Sequence, residues 1–520
     1  LHFAIDSFRI WGVMGKGKVF FVGAGPGDIG LVTLKGLRCL ARADVVVYDS
    51  HADARLLNRA REDAELIEVG PRDSGDDMTP EEIRSALVGN AKDDKVVCRL
   101  KEGDPFAFGG GGEEAEALLS EGIDFEVVPG VSPVFAAPGG AGIPLTHRDY
   151  SSSFAVVTGS EATTKYEGSL SWLGKACATL VFPIDAGDMG RIIDRLIDAG
   201  KASDTPAAVI VRGAQCDQET VTASLGTIAG RAEEKGIRPP ALLVVGNVVS
   251  LRERLQWIEK KPLFGHRILI TREYSAEYGV LEDLGAEIFE FPTIRIEPPE
   301  SWEDLDRAIE GIAAYQWLVF TSVNGFHFFM QEYRRKGLDI RDLKGLRLGA
   351  IGSKTAQAIR SFGMNVDVVP EAFHGEGLAD AFARLNPGGR LEGVRILLPR
   401  AEHGREVFPE IVRARGGIID TPAAYRALKP ERGASRLKRS LFEGRISIAT
   451  FTSSATFSNF IEMVGSDALP FLRSLTIAAI GPITRKAIEQ AGLAVAIMPE
   501  EATIEAMAAQ IVDWVAAARS

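Results

Sequence analysis

The sequence predicts an α/β protein built as two successive two-lobed halves, and three observations lead there. In the first half, short apolar runs of strand character alternate with helical or loop stretches. In the second half, the chain matches itself in a consistent order, which is the mark of an internal repeat. Between them, WIEKKPLFGHR at 257–267 is charged and interrupted by Pro262 and Gly265, as a linker would be. At 520 residues the chain is also too long for one hydrophobic core.

The first group of strands is VFFVG at 19–23, VVVYD at 45–49, VVCRL at 96–100, FEVVPG at 125–130 and FAVVTG at 154–159. A second group comprises ATLVF at 178–182, AAVIV at 207–211 and ALLVVG at 241–246. Pro144 and the Ser151–Ser153 run break the pattern, which puts a junction near 145–152 and lobes at about 16–148 and 149–258, followed by a linker at 259–264. Beyond it, LVFTSVNGFHFF at 318–329 matches IATFTSSATFSNF at 448–460, aligning Thr321-Ser322 with Thr452-Ser453. AIGSKTAQAI at 350–359 matches AIGPITRKAI at 479–488, and Gly363 with Gly492 and Pro370 with Pro499 keep the same offset. A fainter pair joins RILITRE at 267–273 to RILLPRAE at 395–402. Two related α/β lobes account for the shared order.

Composition narrows the function classes. A net charge of −12 disfavours broad attraction to nucleic acid or an anionic membrane. Cys39, Cys98, Cys177 and Cys216 form no C-x-x-C pair, and no histidine stands at metal-ligand spacing, so neither a disulfide scaffold nor a metal site is expected. No apolar run approaches the length needed to span a bilayer, and the N-terminal stretch lacks the pattern of a signal peptide, so the expected compartment is the cytoplasm.

Three loops carry the chemistry of the first half. In VGAGPGDIG, Gly25, Gly27 and Gly30 formally satisfy G-x-G-x-x-G, with Asp49 ending a later strand as a dinucleotide site would require. Pro26 argues against pyrophosphate binding, because it fixes one φ angle and removes a backbone donor. Dinucleotide binding, another nucleotide-like ligand and a mere tight turn stay open for this motif alone. The second loop, RLKEGDPFAFGGGGEEAEAL at 99–118, places Asp104 in a rigid turn ahead of four glycines and Glu113-Glu114. Asp104 there either orients a polar ligand or caps the turn. The third, VVPGVSPVFAAPGGAGIPLTHRDY, adds Pro129, Gly130, Ser132 and Thr146 among further tight turns.

Together GAGPGD at 23–28, VVVYD, the GDPF loop, VVPGVS, AGIPLTHR at 141–148 and PALLVVGNVVSLRERLQW resemble uroporphyrinogen-III C-methyltransferases of the tetrapyrrole methylase family, over roughly residues 16–258. The resemblance implies S-adenosylmethionine as cofactor, with Pro26, Gly103, Asp104, Ala208 and Ile184 at its site and no metal. It also implies two methyl transfers to uroporphyrinogen III, giving precorrin-2, and a homodimer formed through this half. Asp49 and Asp104 are the carboxylate candidates for electrostatic positioning or proton handling. Arg72, Arg99, Lys101, His147 and Arg148 are the candidates to meet the substrate's carboxylates. Departures from the family pattern stand at Pro71, Glu102, Gly110, Ser160 and Pro183 to Asp185.

In the second half, Thr321, Ser322 and Asn324, and Thr452, Ser453 and Ser454, put hydroxyls and helix-start donors at matching strand ends. They can face an anionic ligand or cap the helices. TSVNG, AIG followed by a helix, VVPEAFHGEGLADAF at 368–382 and TSSA are similar to uroporphyrinogen-III synthase over about 264–520. That resemblance implies one lobe from 265–295 plus 430–520 and another from 298–422. It also implies closure of hydroxymethylbilane with inversion of ring D, and Tyr425 assisting the leaving hydroxyl. The combined expectation is a two-lobed tetrapyrrole methylase fold followed by a two-lobed uroporphyrinogen-III synthase fold, acting in sequence on small-molecule tetrapyrroles. The alternatives are a synthase fused to an inactive or altered methyltransferase, an NAD-dependent oxidoreductase, and a tetrapyrrole carrier without turnover.

Overall fold

The structure, a computed structural model, describes residues 17–50, 52, 54–61, 63–70, 78–158, 167–184, 188–372, 374–385, 390–404, 406–430, 434–465 and 468–519. Pro71, Arg72, Ser160 and Asp185 lie outside the described residues. The chain forms two compact units: Leu1–Phe291 with Ser435–Ser454 and Ser466–Ser520, and Pro292–Ala434 with Ala455–Gly465.

The first sheet contains β1 (Val19–Gly23), β2 (Val45–Tyr48), β3 (Glu65–Glu68), β4 (Val97–Lys101) and β5 (Phe125–Val128), in the order β3-β2-β4-β1-β5 and parallel throughout. Alternation along β1 divides its side chains between two cores. Phe20 and Val22 pack with Cys39 and Leu40 on one face, while Val19 and Phe21 pack with Leu87, Ala115 and Leu118 on the other. The connections leaving neighbouring β1 and β4 run to opposite sides of the sheet, so their carboxyl ends form a topological switch point, where α/β sheets open a ligand crevice.

The second sheet is mixed: β6 (Phe154–Val156), β7 (Thr179–Ile184), β8 (Pro206–Val211), β9 (Glu219–Ser224) and β10 (Ala241–Val245), in the order β6-β7-β10-β8-β9. FAVVTG, grouped by spacing with the strands before it, pairs with β7 and so opens this second sheet. Helix Pro133–Gly140, which forms within the segment read as the third loop, packs Val134 and Ala137 against Val181, Ala208 and Val244. That contact joins the two lobes.

The second half adds β11 (Arg267–Ile270), β12 (Glu287–Glu290), β13 (Arg295–Glu297), β14 (Trp317–Phe320), β15 (Arg347–Ala350), β16 (Arg395–Leu397), β17 (Arg400–Ala401), β18 (Ile418–Asp420), β19 (Ala423–Leu428), β20 (Ile448–Phe451) and β21 (Thr476–Ala479). The sequence repeat maps onto two four-stranded parallel sheets, β12-β11-β20-β21 and β18-β16-β14-β15. Even the outlying bridges correspond, Gly349 to Val368 in one and Ala478 to Ile497 in the other. The faint match of 267 to 395 is therefore the match of β11 to β16, each lying beside its sheet's TS-bearing strand. A three-stranded ribbon, β13-β19-β17, completes the second unit.

Two groupings differ from the sequence division. The sheet containing β11 shares one unit with residues up to 258 rather than standing apart. Residues 455–465 group with the second unit, where the Thr293 hydroxyl donates to the Thr456 carbonyl at 3.2 Å and Asn459 donates to the Thr293 carbonyl at 3.0 Å. Among the described residues, no helix is long and apolar enough to cross a membrane, and no cluster of His, Cys, Asp and Glu could hold a metal ion.

Candidate active sites

The three predicted loops converge at the switch point. Gly25 and Gly103 exchange backbone hydrogen bonds, at 3.2 Å from the Gly25 N–H and 2.9 Å from the Gly103 N–H. Asp104 ties the second loop to the third: one carboxylate oxygen accepts from the Phe106 N–H at 2.9 Å and the other from the Gly130 N–H at 3.0 Å. The approach is close enough to require glycine, since a Cβ on Gly130 would lie 2.1 Å from the Gly103 carbonyl and one on Gly23 would lie 2.5 Å from Gly130. Pro26 is buried at the apex, and its carbonyl accepts from Gln215 at 3.4 Å.

Next to the turn lies an ionic quartet of three buried residues and the half-buried Asp49. Arg99 pairs with Glu114 at 3.0 Å and Asp49 at 2.7 Å, and Lys101 pairs with Glu114 at 2.5 Å. The second Asp49 oxygen accepts the Glu102 N–H at 3.0 Å, which fixes the start of the GDP turn. Arg99 and Lys101 are only 2% and 3% exposed, so both are committed to protein carboxylates rather than available to a substrate. The cause is their position at alternate residues of a central parallel strand, where a charge must be paired. Burial, with the adjacent Arg99 guanidinium, lowers the Lys101 pKa from its ordinary value, against the pull of Glu114.

Exposed aromatic side chains stand on the second and third loops and on β6. Phe106 and Phe108 are more than half exposed, and Phe108 holds a φ of +65°, an unfavourable conformation for a bulky residue. Phe135 and Phe154 meet edge to face at 5.9 Å, both exposed. In a neighbouring loop, His147 accepts the Asp149 N–H at 3.1 Å, and Arg148 is exposed.

In the second unit, the Tyr425 hydroxyl lies 3.0 Å from the Ser322 hydroxyl, and its ring stacks on Phe328 at 6.0 Å and 17°. Ser322 also caps helix Val323–Arg335 by accepting the Gly325 N–H at 2.9 Å, so capping and pairing coexist at one oxygen. Thr321 and Asn324 flank it. Thr452, Ser453 and Ser454 stand at the corresponding turn after β20, in the first unit, where the Thr452 hydroxyl is buried without a hydrogen-bond partner.

Comparison with known proteins matches residues 18–229 to the family of tetrapyrrole (corrin/porphyrin) methylases and residues 275–509 to uroporphyrinogen-III synthase HemD. A porphyrin biosynthesis protein HemD of Ruminiclostridium josui is 37% identical over 501 residues, spanning 95% of this chain and 97% of its own. The chain belongs to this methylase–synthase fusion family. A uroporphyrinogen-III C-methyltransferase of Bacillus subtilis is 36% identical over 362 residues, 69% of this chain and 74% of that one. An S-adenosyl-L-methionine-dependent uroporphyrinogen III methyltransferase of Methanosarcina barkeri is 46% identical over 241 residues, 46% of this chain and 94% of that one.

Within the fusion, the structure brings Pro26, Gly103 and Asp104 together and sets Asp49 just beneath them. Ala208 and Ile184 are fully packed, Ala208 against the helix that joins the lobes and Ile184 in the core on the opposite side of the second sheet. Tyr425 and Ser322 form one hydroxyl pair. Sequence reasoning assigned no role at the site to Glu114 or Gln215. The signal for Glu114 was available, since Arg99 and Lys101 share a strand face and need an anion.

Proposed function

We propose that the chain closes hydroxymethylbilane to uroporphyrinogen III with ring D inverted, and then methylates that product twice from S-adenosylmethionine to give precorrin-2. The observation that carries the methylase reading is where the backbone donors of the Gly25–Leu31 turn point. The Gly25 N–H is spent on Gly103, Pro26 has none, and Gly30 and Leu31 donate to Asp28. A pyrophosphate needs those donors free and no carboxylate beside them. A sulfonium cofactor needs neither, and the M. barkeri relative's dependence on S-adenosyl-L-methionine supports the same choice.

The bound cofactor supplies an electrophilic methyl group on a sulfonium. The protein's share is alignment and exclusion of water, provided by the Asp104-tied loops and the exposed Phe106 and Phe108, against which the pyrrole faces of the substrate can pack. Asp49 and Asp104 act by holding these loops. Among the described candidates, exposed Arg148 and half-buried His147 are the basic groups left to meet substrate carboxylates. In the synthase half, the Tyr425 O–H donates toward the departing hydroxyl as the C–O bond breaks. With that proton the hydroxyl leaves as water, and the pyrrole-stabilised cation is attacked at the substituted α-carbon of ring D to give a spiro intermediate. Its fragmentation and reclosure invert ring D, and the proton lost as the pyrrole rearomatises returns to Tyr425. Any oligomer would form through the methylase half.

The test supplies the purified chain with hydroxymethylbilane, with and without S-adenosylmethionine, under anaerobic conditions, and identifies products by mass and isomer. Uroporphyrinogen III without the cofactor and a product heavier by two methyl groups with it are expected. Exposed Glu102 beside the GDP turn favours a second reading, a weakened methylase, because it repels a polycarboxylate. Uroporphyrinogen III under both conditions would select that reading. The type I ring under both would remove the synthase assignment.

A further inference from the structure

We infer that the loop Arg212–Gln218 is a positioning element through which the first lobe of the synthase half sets the shape of the methylase cofactor turn; this rests on the S-adenosylmethionine reading above. The loop has two working edges within one compact unit. On the first edge, Gln215 Nε2 donates to the Pro26 carbonyl at 3.4 Å. It also lies so near Gly27 that a Cβ there would meet the same nitrogen at 2.6 Å. On the second edge, the Cys216 carbonyl accepts the Gly265 N–H at 2.8 Å, and the Asp217 carboxylate faces Arg267 at 3.8 Å. Arg267 is the first residue of β11 and is held by both Glu287 oxygens of β12, at 2.7 and 2.8 Å. Three consecutive residues thus connect the Pro26 turn to the sheet of the synthase lobe.

The loop's own conformation needs that support. Arg212 and Ala214 have φ values of +49° and +64°, uncommon for residues bearing a side chain. Such conformations persist only where the surroundings over-determine them. Part of the support is internal to the methylase. The Ala214 N–H donates to the buried Gln218 side chain at 2.8 Å, and Gly213 lies so close to helix Pro133–Gly140 that a Cβ would fall 2.0 Å from Ala137 Cβ. Arg212 also bonds Asp217 at 3.0 Å, so that carboxylate is shared between the loop's start and the synthase strand. The remaining support comes from Gly265 and Arg267. Neither they nor Cys216 and Asp217 are required by methyl-transfer chemistry, and their convergence on the residue beside Gln215 is accounted for by coupling.

The experiment is a calorimetric titration of full-length chain with S-adenosylhomocysteine, using Gln215→Ala, Asp217→Asn and the double variant. Gln215→Ala is expected to weaken binding about fivefold, the effect of losing one modest hydrogen bond, and Asp217→Asn, which neutralises the carboxylate shared by Arg212 and Arg267, by at least about as much. The double change should weaken it by clearly less than the product of the two, because cutting either edge releases the same loop. Asp217→Glu, which keeps the charge, should restore binding, and uroporphyrinogen III formation should stay at the parent level in all variants, confirming that they fold. Parent-like binding by Asp217→Asn, or two effects that simply multiply, would overturn the coupling. A parent chain that does not bind S-adenosylhomocysteine would instead overturn the cofactor reading on which the coupling rests.

Discussion

Lys101 holds its proton less tightly in the folded chain than in the unfolded one, because burial and Arg99 outweigh the attraction of Glu114. The unfolded state therefore binds more protons between the lowered value and the ordinary 10.5, and stability contributed by this residue rises with pH through that window. Denaturant midpoints at pH 7 and pH 10 should show the parent gaining on a Lys101→Met variant at the higher pH. In the synthase half, Tyr425→Phe keeps the stack on Phe328 but removes the hydroxyl paired with Ser322. It should cost about 1 kcal/mol in stability and lower hydroxymethylbilane turnover at least about tenfold; unchanged turnover would end Tyr425's role. The family resemblance singled out Tyr425, and the repeated Thr-Ser turn singled out Ser322. Their contact was beyond reach, because 103 residues separate them and only the ribbon β13-β19-β17 sets the second beside the first.

Elements were legible where burial leaves an apolar run. β1 and β2 stand out because a parallel strand covered on both faces is apolar throughout, and β4 and β5 because apolar residues flank Arg99 and Lys101 in one and Glu126 in the other. β3 and β9 escaped because each is the edge of its sheet, and ELIE and ETVTAS carry the polar residues an exposed edge tolerates. The three loops were recognised as turns, but not that their glycines press backbone on backbone. That contact predicts that Gly130→Ala, whose new methyl would overlap the Gly103 carbonyl, forces the second and third loops apart. A loss of about 1–3 kcal/mol in stability and of measurable S-adenosylhomocysteine binding is expected, read by thermal melting and titration.

At the scale of the whole molecule, the charged stretch at 257–267 reads as a tether and is instead bound down. Trp257 donates to the Gly139 carbonyl at 3.0 Å, Arg252 grips Glu259 at 2.6 Å, and the buried Arg55 meets Glu282 at 3.3 Å on the other side. Hydropathy and turn residues report local preference, whereas the Trp257–Gly139 and Arg55–Glu282 contacts join positions far apart in sequence. A ligand that stabilises one part of a cooperative unit stabilises all of it. S-adenosylhomocysteine at about a hundred times its dissociation constant adds ~2.7 kcal/mol to whatever unit binds it. It should therefore protect uroporphyrinogen III formation against heat inactivation as well as methyl transfer, and protection of methyl transfer alone would mean that the two halves melt separately.

The order of strands in β12-β11-β20-β21 has a consequence for birth rather than for catalysis. As the polypeptide leaves the ribosome, β11 and β12 emerge early, but the neighbour that closes over β11 is translated only after the entire Pro292–Ala434 segment. Until then one side of β11 offers unpaired amides and carbonyls to any passing strand. Nascent chains stalled between 300 and 440 should accordingly be the ones that seek chaperones or one another.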